Sequence, residues 1–314
     1  MEILKNTSNN LSFEIRNVPV SFVNAVRRSC LSHVNTVVAR HVEIQENTSQ
    51  LPYEMLKHRV EMLPINVLPN DVATIRNAKI TLDIKNTGDK IMAVTTDDFK
   101  VENASNILMK DRDFETPLLF AYLQRNESIR LTASLVLENE DVSQVCLCTT
   151  RWHVDEKAVK AVRQELVATG EDVRLFDNFS YQRYYERDEK GRPVAFDFSI
   201  ESIGVMKATD ILRSSMIYIR KLVTNCVEEM LQNIQRESDN IYIIAIEHGE
   251  HTFGTLMQEA IYSNADVNFV SYDIPHPLLT KLVFRLQTSR TPESVIESAR
   301  NKIESYCVII ERSL

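Results

Sequence analysis

EHGEHTFGTLMQEAIYSNADVNFVSYDIPHP, residues Glu247 to Pro277, is the stretch whose reading decides the fold. Just ahead of it, Ile241 to Ile246 is an apolar run rich in β-branched residues, the composition of a buried strand. His248-Gly249-Glu250 breaks that run as a turn. Thr252 then suits the N-cap of a helix, because its hydroxyl can accept a bond from a free N–H of the first turn. Phe253, Leu256, Met257, Ala260 and Ile261 recur at three- and four-residue steps and predict one apolar helical stripe. Asn264 suits the left-handed residue that closes such a helix. Val267 to Tyr272 is extended again, and Pro275-His276-Pro277 ends it, since proline donates no ladder hydrogen bond. The pattern is strand, short helix, strand, with a helix stripe in need of a partner.

The wording of this stretch resembles the small partner subunit of cellular RNA polymerases, the eleventh subunit of the eukaryotic enzyme and the archaeal L subunit. The signature there is glu-asp-his-thr-leu-gly-asn, followed after a helix by gly-tyr-x-val-pro-his-pro. His251, Thr252, Gly254, Tyr272, Pro275, His276 and Pro277 match it, while Gly249-Glu250, Phe253, Thr255, Ser271 and Ile274 depart from it.

Composition narrows the classes. A chain of 314 residues with 44% apolar content can build one large or two ordinary domains. A net charge of −8 argues against nucleic-acid binding by phosphate neutralisation alone. The six glycines are scattered, so no loop can bring clustered backbone N–H groups to a phosphate. Five cysteines without a CxxC pair fit a reducing intracellular compartment better than a disulfide scaffold. No run approaches membrane-spanning length, no signal peptide opens the sequence, and no membrane contact is expected.

Toward the N-terminus, Leu11 to Val18 alternates as a strand, and Ser21 can cap a helix to about His33 with Phe22, Val26 and Cys30 as its apolar line. Asn24, Arg27 and Arg28 form the polar, cationic flank of that helix. Val37 to Glu46 is extended again, and after the Asn47-Thr48-Ser49 turn Pro52 can open a short helix carrying Met55, Leu56, Val60 and Leu63. From Val67 to Ala195 the pattern changes to mainly β. Ile80, Leu82 and Ile84 alternate, Thr87-Gly88-Asp89 suits a hairpin turn, and Leu131, Ala133, Leu135 and Leu137 alternate once more. Asp155 and Gly170 bracket a helix, and Asp188 to Gly191 forms a turn. Phe196, Phe198 and Ile200 resume a strand. Thr209 then caps a long helix whose Leu212, Ser215, Ile219, Leu222, Cys226, Met230 and Asn233 approach a heptad seam. The polar stretch Gln235 to Asn240 reads as a linker. Lys281 to Gln287 is the last strand, and Thr291-Pro292 starts a final helix lined by Val295, Ile296, Ala299, Ile303, Tyr306, Cys307 and Ile310.

A second resemblance rests on NAVRRSCLS (Asn24 to Ser32), ENTSQLPYEMLKHRVEMLPI (Glu46 to Ile65) and FDFSIESIGVMKATDIL (Phe196 to Leu212). These are similar to the third subunit of eukaryotic RNA polymerase II, the archaeal D subunit and the N-terminal domain of the bacterial alpha subunit. The shared features are asn-x-x-arg-arg and his-arg-x-x-x-x-pro. The usual gly-leu-ile before that proline is Glu61-Met62-Leu63 here.

Together the resemblances imply an α+β fold of two alpha-like dimerisation units, paired in one chain around an inserted mainly β domain. The division would be 1–66 with 196–238, 67–195, and 239–314. Pairing would use Leu212, Ile219, Leu222, Cys226, Phe253, Leu256, Val295, Ala299 and Ile303. Asn24, Arg27, Arg28, His58 and Arg59 would face a partner subunit. The implied function is a non-catalytic assembly platform of a multisubunit DNA-directed RNA polymerase. Its partners would be the largest and second-largest subunits and small accessory subunits, with no sequence-specific nucleic-acid contact. Fused versions are characteristic of large nucleocytoplasmic DNA viruses. They imply an intracellular viral transcription complex, in cytoplasm or nucleus of the host, and the virion as a further location.

Enzymatic readings are weaker. His248 and His251 with Glu250 invite a metal, but two imidazoles three residues apart at a turn need not converge. Cys146 and Cys148 are a Cys-x-Cys pair where a closed zinc site needs about four ligands. No serine or cysteine is marked as a nucleophile, so no catalytic residue, metal or cofactor is expected. The alternative is a free-standing α/β binding module or enzyme sharing the fold.

Overall fold

The computed structural model describes residues 1–138, 145–247, 249–276, 278 and 280–314. His248 and Pro277 of the deciding stretch lie outside these. The chain opens with strands β1 (Glu2–Asn6) and β2 (Asn10–Arg16), helix α1 (Val20–Ser32), strand β3 (Thr36–Asn47) and helices α2 (Tyr53–Glu61) and α3 (Val72–Asn77). It continues through β4 (Lys79–Lys85), β5 (Met92–Thr95), β6 (Lys100–Glu102), β7 (Leu119–Leu123), β8 (Ser128–Glu138) and β9 (Cys146–Trp152). Helices α4 (Glu156–Thr169) and α5 (Val173–Phe179) precede β10 (Ala195–Ser202) and the long α6 (Ala208–Gln232). The last elements are β11 (Ile234–Ser238), β12 (Ile241–Ile246), α7 (His251–Tyr262), β13 (Val267–Asp273), β14 (Leu282–Thr288) and α8 (Pro292–Glu311). The architecture is α+β with antiparallel sheets.

Two compact units divide the chain by contact. One comprises residues 1–30, 148–201 and 212–314, the other 31–147 and 202–211. This is a different cut from the division by resemblance. Strand β3 and helix α2 belong with the second unit, and α4 and α5 with the first. In the second unit a sheet of order β3-β8-β4-β6 and the pair β5-β7 surround one apolar core that includes Val37, Leu56, Ile80, Phe120 and Leu131. Gly88 is not in a hairpin turn: β4 pairs with β6 and β8 while β5 pairs with β7, so the segment between them links two sheets. The Asn86 Oδ1 accepts from the Gly88 N–H and tightens that link.

The first unit holds two sheets built alike, β1-β2-β10-β9 and β11-β12-β14-β13. In the former, alternation places Leu11, Phe13 and Ile15 inside, and the opposed Phe196, Phe198 and Ile200 pair with them in register. Phe13 and Phe198 stack with ring centroids 4.7 Å apart. In the latter, Ile244 and Ile246 of β12 and Leu282, Phe284 and Leu286 of β14 are fully buried. The stretch read as a linker is in fact edge strand β11, paired with β12, with Asn240 in the left-handed conformation of the turn (φ 62°). An edge strand needs only its ladder hydrogen bonds, so polar residues there carry no apolar signal.

Helix ends correct four expectations. Ser21, Thr252 and Thr209 are not N-caps, because α1 begins at Val20, α7 at His251 and α6 at Ala208. Asn264 is not left-handed. The α7 C-cap is Ser263, and the Asn264 side-chain amide donates to the Ile261 carbonyl at 3.0 Å, satisfying the helix end from outside. Elsewhere the signals hold: Asp155 caps α4, Gly170 closes it with φ 73°, and Thr291-Pro292 opens α8. The buried face of α6 is wider than a heptad seam. Ile211, Met216, Val223 and Val227 join Leu212, Ile219, Cys226 and Met230 inside, Leu222 is half-buried, and Asn233 falls beyond the helix. A helix lying over a broad apolar surface buries such a stripe.

Candidate functional site

Each sheet of the first unit carries a short helix and a long one, and the site is where the helices of the two halves meet. Phe22 of α1 packs its ring 5.3 Å from that of Tyr306 in α8. The Ser21 N–H of α1 donates to Glu259 Oε2 of α7 at 3.3 Å. Arg220 of α6 reaches two carboxylates of α8, with Nε 2.9 Å from Glu304 Oε2 and a terminal nitrogen 2.9 Å from Glu311 Oε2. These hydrogen bonds, Glu304 first, raise the guanidinium above its ordinary value. The Glu247 N–H donates to Glu229 Oε1 at 2.6 Å, tying the end of α6 to the start of the α7 turn. Aromatic packing and closed ion pairs therefore join the halves.

Of the residues expected to pair, Leu212, Ile219, Cys226, Phe253, Leu256, Val295, Ala299 and Ile303 are buried and Leu222 is half-buried. Phe253 faces Phe284 of its own sheet, edge to face at 6.1 Å. Val223, Ile303 and Cys307 line one cleft with Arg220 and Glu304, which places α6 and α8 side by side there. Burial pushes the Cys226 and Cys307 thiols up to about 12. Both stay protonated near neutrality and act as apolar packing rather than as nucleophiles.

The signature residues of the deciding stretch lock α7 onto its sheet, and His248 of the metal reading lies outside the described residues. The Tyr272 hydroxyl lies 2.8 Å from Thr255 Oγ1 and 3.3 Å from His251 Nδ1. Gly254 is required beneath that ring, because a Cβ there would stand 2.6 Å from Tyr272 Cδ2. Gly249 is required likewise, its Cβ position lying 2.5 Å from that of Leu282. Glycine and tyrosine together let α7 lie close on β13 and β14.

The residues read as partner-facing are distributed over both compact units. Asn24 and Arg28 are exposed on α1, and Arg27 donates to Asn24 Oδ1 at 2.9 Å through a terminal nitrogen. His58 and Arg59 are exposed on α2 in the other unit, where Arg59 donates to the Phe120 carbonyl at 2.6 Å and the Leu119 carbonyl at 3.3 Å. Arg59 thereby fastens α2 to β7.

Among the described residues, the side chains brought together with metal-ligand geometry are Glu14, His153 and Asp197. His153 Nδ1 lies 2.7 Å from Asp197 Oδ1 and 3.7 Å from Glu14 Oε2. Glu14 and Asp197 stand opposite each other across β2 and β10, a like-charge pair that needs cations. Arg16 pairs with Glu14, and Arg151 Nε lies 2.9 Å from Asp197 Oδ2. Arg16 also reaches Glu186, so two guanidiniums serve three carboxylates around the cluster. The sequence held no local sign of this cluster, whose members are up to 183 positions apart (197 − 14). Cys146 and Cys148 are buried on one face of β9.

This geometry, two antiparallel sheets each backed by amphipathic helices that meet each other, defines an alpha-like dimerisation fold. Two stretches, 12–223 and 242–313, match models described as the RNA polymerase Rpb3/Rpb11 dimerisation domain. The first covers more than half of the chain, and the chain belongs to that family. The chain is 39% identical over 71 residues to the DNA-directed RNA polymerase subunit Rpo3 of Pyrococcus horikoshii, covering 23% of the chain and 27% of that protein. To subunit Rpo11 of Thermococcus onnurineus it is 39% identical over 77 residues, 23% of the chain and 80% of that protein. To the RPAC1 subunit of RNA polymerases I and III of Saccharomyces cerevisiae it is 28% identical over 119 residues, 33% of the chain and 35% of that protein. The matched region spans about a quarter of the length of the Rpo3 relative.

Proposed function

We propose that the protein is a non-catalytic assembly subunit of a multisubunit DNA-directed RNA polymerase, in which two alpha-like halves are fused and pair within one chain. One observation carries this reading: groups from the two matched stretches meet, the Ser21 backbone N–H with Glu259, the Phe22 ring with Tyr306 and Arg220 with Glu304. A non-catalytic part is supported by the chemistry of that site, where ion pairs are closed and thiols are held protonated. By resemblance the halves would be 1–66 with 196–238 and 239–314, around the mainly β segment 67–195, while strand β9 pairs into the sheet of the first half and β11 into that of the second. The platform would hold the second-largest catalytic subunit through the first half and the largest through the second, with small accessory subunits alongside. A viral source and an intracellular viral transcription complex complete the proposal, on the ground that both halves share one chain.

The test is a pull-down from cells that make the polymerase, with Arg27→Ala/Arg28→Ala beside wild type. Exposed charges rarely stabilise a fold by more than about 1 kcal/mol, so the variant should melt normally. Arginines desolvated at an interface are worth roughly 2 kcal/mol, about a thirtyfold weakening, so recovery of the second-largest subunit should fall. Wild-type chain that brings down no polymerase subunit would overturn the proposal. Normal recovery by the variant would remove these arginines from the interface.

A further inference from the structure

Helices α1 and α7 superpose in sequence from their first residues, Val20-Ser21-Phe22-Val23-Asn24 against His251-Thr252-Phe253-Gly254-Thr255. In both, the second residue carries a buried hydroxyl without a hydrogen-bond partner, Ser21 Oγ and Thr252 Oγ1. In both, the third is a phenyl ring with no exposure. At the ninth residue the two helices carry opposite charges, Arg28 in α1 and Glu259 in α7.

That difference bears on a helix end with an unmet need. The first turn of α1 contains no acidic residue, so its free N–H groups and the positive end of its dipole have no carboxylate of their own. Glu259 supplies one from the other half, accepting from the Ser21 N–H. The same carboxylate bears on Tyr306, whose phenol is pushed up first by burial and then by Glu259, and the Tyr306 ring packs against Phe22. Glu259 therefore sits among the contacts that join the halves. Helix α7 likewise has no acidic residue in its first turn, but the Glu250 carboxylate stands at its N-cap position, without a side-chain cap hydrogen bond.

We infer that Glu259 is a specificity residue for the pairing, capping α1 from the opposite half, and that the opposite signs at the ninth position select the mixed pair over either like pair. The inference rests on the reading that the halves pair within one chain. In a pair of two first halves, Arg28 would take the place of Glu259 and set a cation against a helix end that has no carboxylate. In a pair of two second halves, Glu259 would bring its carboxylate toward that of Glu250 at the N-cap position. The mixed pair avoids both conflicts.

Hydrogen exchange of the full chain, read at the Ser21 amide, with light scattering on the same samples, tests this. Glu259→Gln keeps the shape and removes the charge, and Ser21 exchange should speed up about three- to tenfold. Val20 is exposed and opens α1, so adding Val20→Asp to Glu259→Gln gives the helix its own carboxylate and should restore slow exchange. A merely structural role for Glu259 would not be rescued from Val20. Glu259→Arg should convert part of a monomeric chain into dimers or larger species with mispaired halves. Unchanged Ser21 exchange in Glu259→Gln overturns the cap, and a Glu259→Arg chain as monomeric as wild type overturns the selection. A wild-type chain that is itself a swapped dimer, with the exchange effects intact, would instead count against pairing within one chain and leave the cap standing.

Discussion

The two alpha-like halves reach the same plan by different routes through the sequence. The second half is continuous: β11 to α8 runs from Ile234 to Glu311, and every strand of its sheet pairs with a strand of that segment. The first half is gathered from β1, β2 and α1 at one end and β9, β10 and α6 more than a hundred residues later. Its central pairing joins Phe13 to Phe198. Closing a long loop costs entropy before any contact rewards it, so the second half is the part expected to order with least help. The comparison teaches that one architecture can be written locally or assembled from distant pieces. The price of the second route is dependence on ring stacking and ion pairs across the fold.

The aromatic pair at equivalent helix positions gives the largest expected effect. Phe22→Ala and Phe253→Ala each remove a fully buried ring, and each should cost about 3–5 kcal/mol in chemical denaturation. Their footprints should differ. Phe253→Ala should loosen exchange protection in β14, where Phe284 lies, whereas Phe22→Ala should loosen α8 around Tyr306. Matching footprints for the two variants would erase the distinction between local and cross-half packing.

A smaller effect should come from the residue that follows each ring. Val23 in α1 is buried as a full side chain, while Gly254 in α7 lies under the Tyr272 ring with no room for a Cβ. Gly254→Ala should therefore lower stability by about 1–3 kcal/mol. Combining it with Tyr272→Ala should cost less than the sum of the two single changes, as expected when neighbours share one steric conflict. An additive melt would show that α7 does not lie close on β13.

The smallest effect concerns the ion pairs between α6 and α8. Arg220→Ala should cost about 0.5–1 kcal/mol, because Glu304 and Glu311 are partly open to water and their attraction is screened. The loss should shrink further at high salt. A salt-independent loss would mean that packing of the Arg220 stem, rather than its charge, holds the long helices together.

What the sequence by itself determined follows from local periodicity. The stripe Phe253, Leu256, Met257, Ala260 and Ile261 marks α7, the alternation of Phe196, Phe198 and Ile200 marks β10, and Thr291-Pro292 marks the start of α8. Each signal lies within a dozen residues, and backbone geometry of period 3.6 or 2 converts it directly into a buried face. The resemblance in two stretches likewise needed only short motifs. Tertiary structure alone decided where polar groups went. Ser21 and Thr252 look like caps by composition, yet they fall inside their helices with buried hydroxyls. Gln235 to Ser238 has no apolar pattern because an edge strand is held by backbone hydrogen bonds, which side-chain chemistry does not reveal. Glu259, Arg220 and the Glu14–His153–Asp197 cluster acquire meaning only from partners 44 to 238 positions away. A hydrogen bond or ion pair is short-ranged in space and indifferent to sequence separation, so folding had to bring those partners within reach before their roles existed.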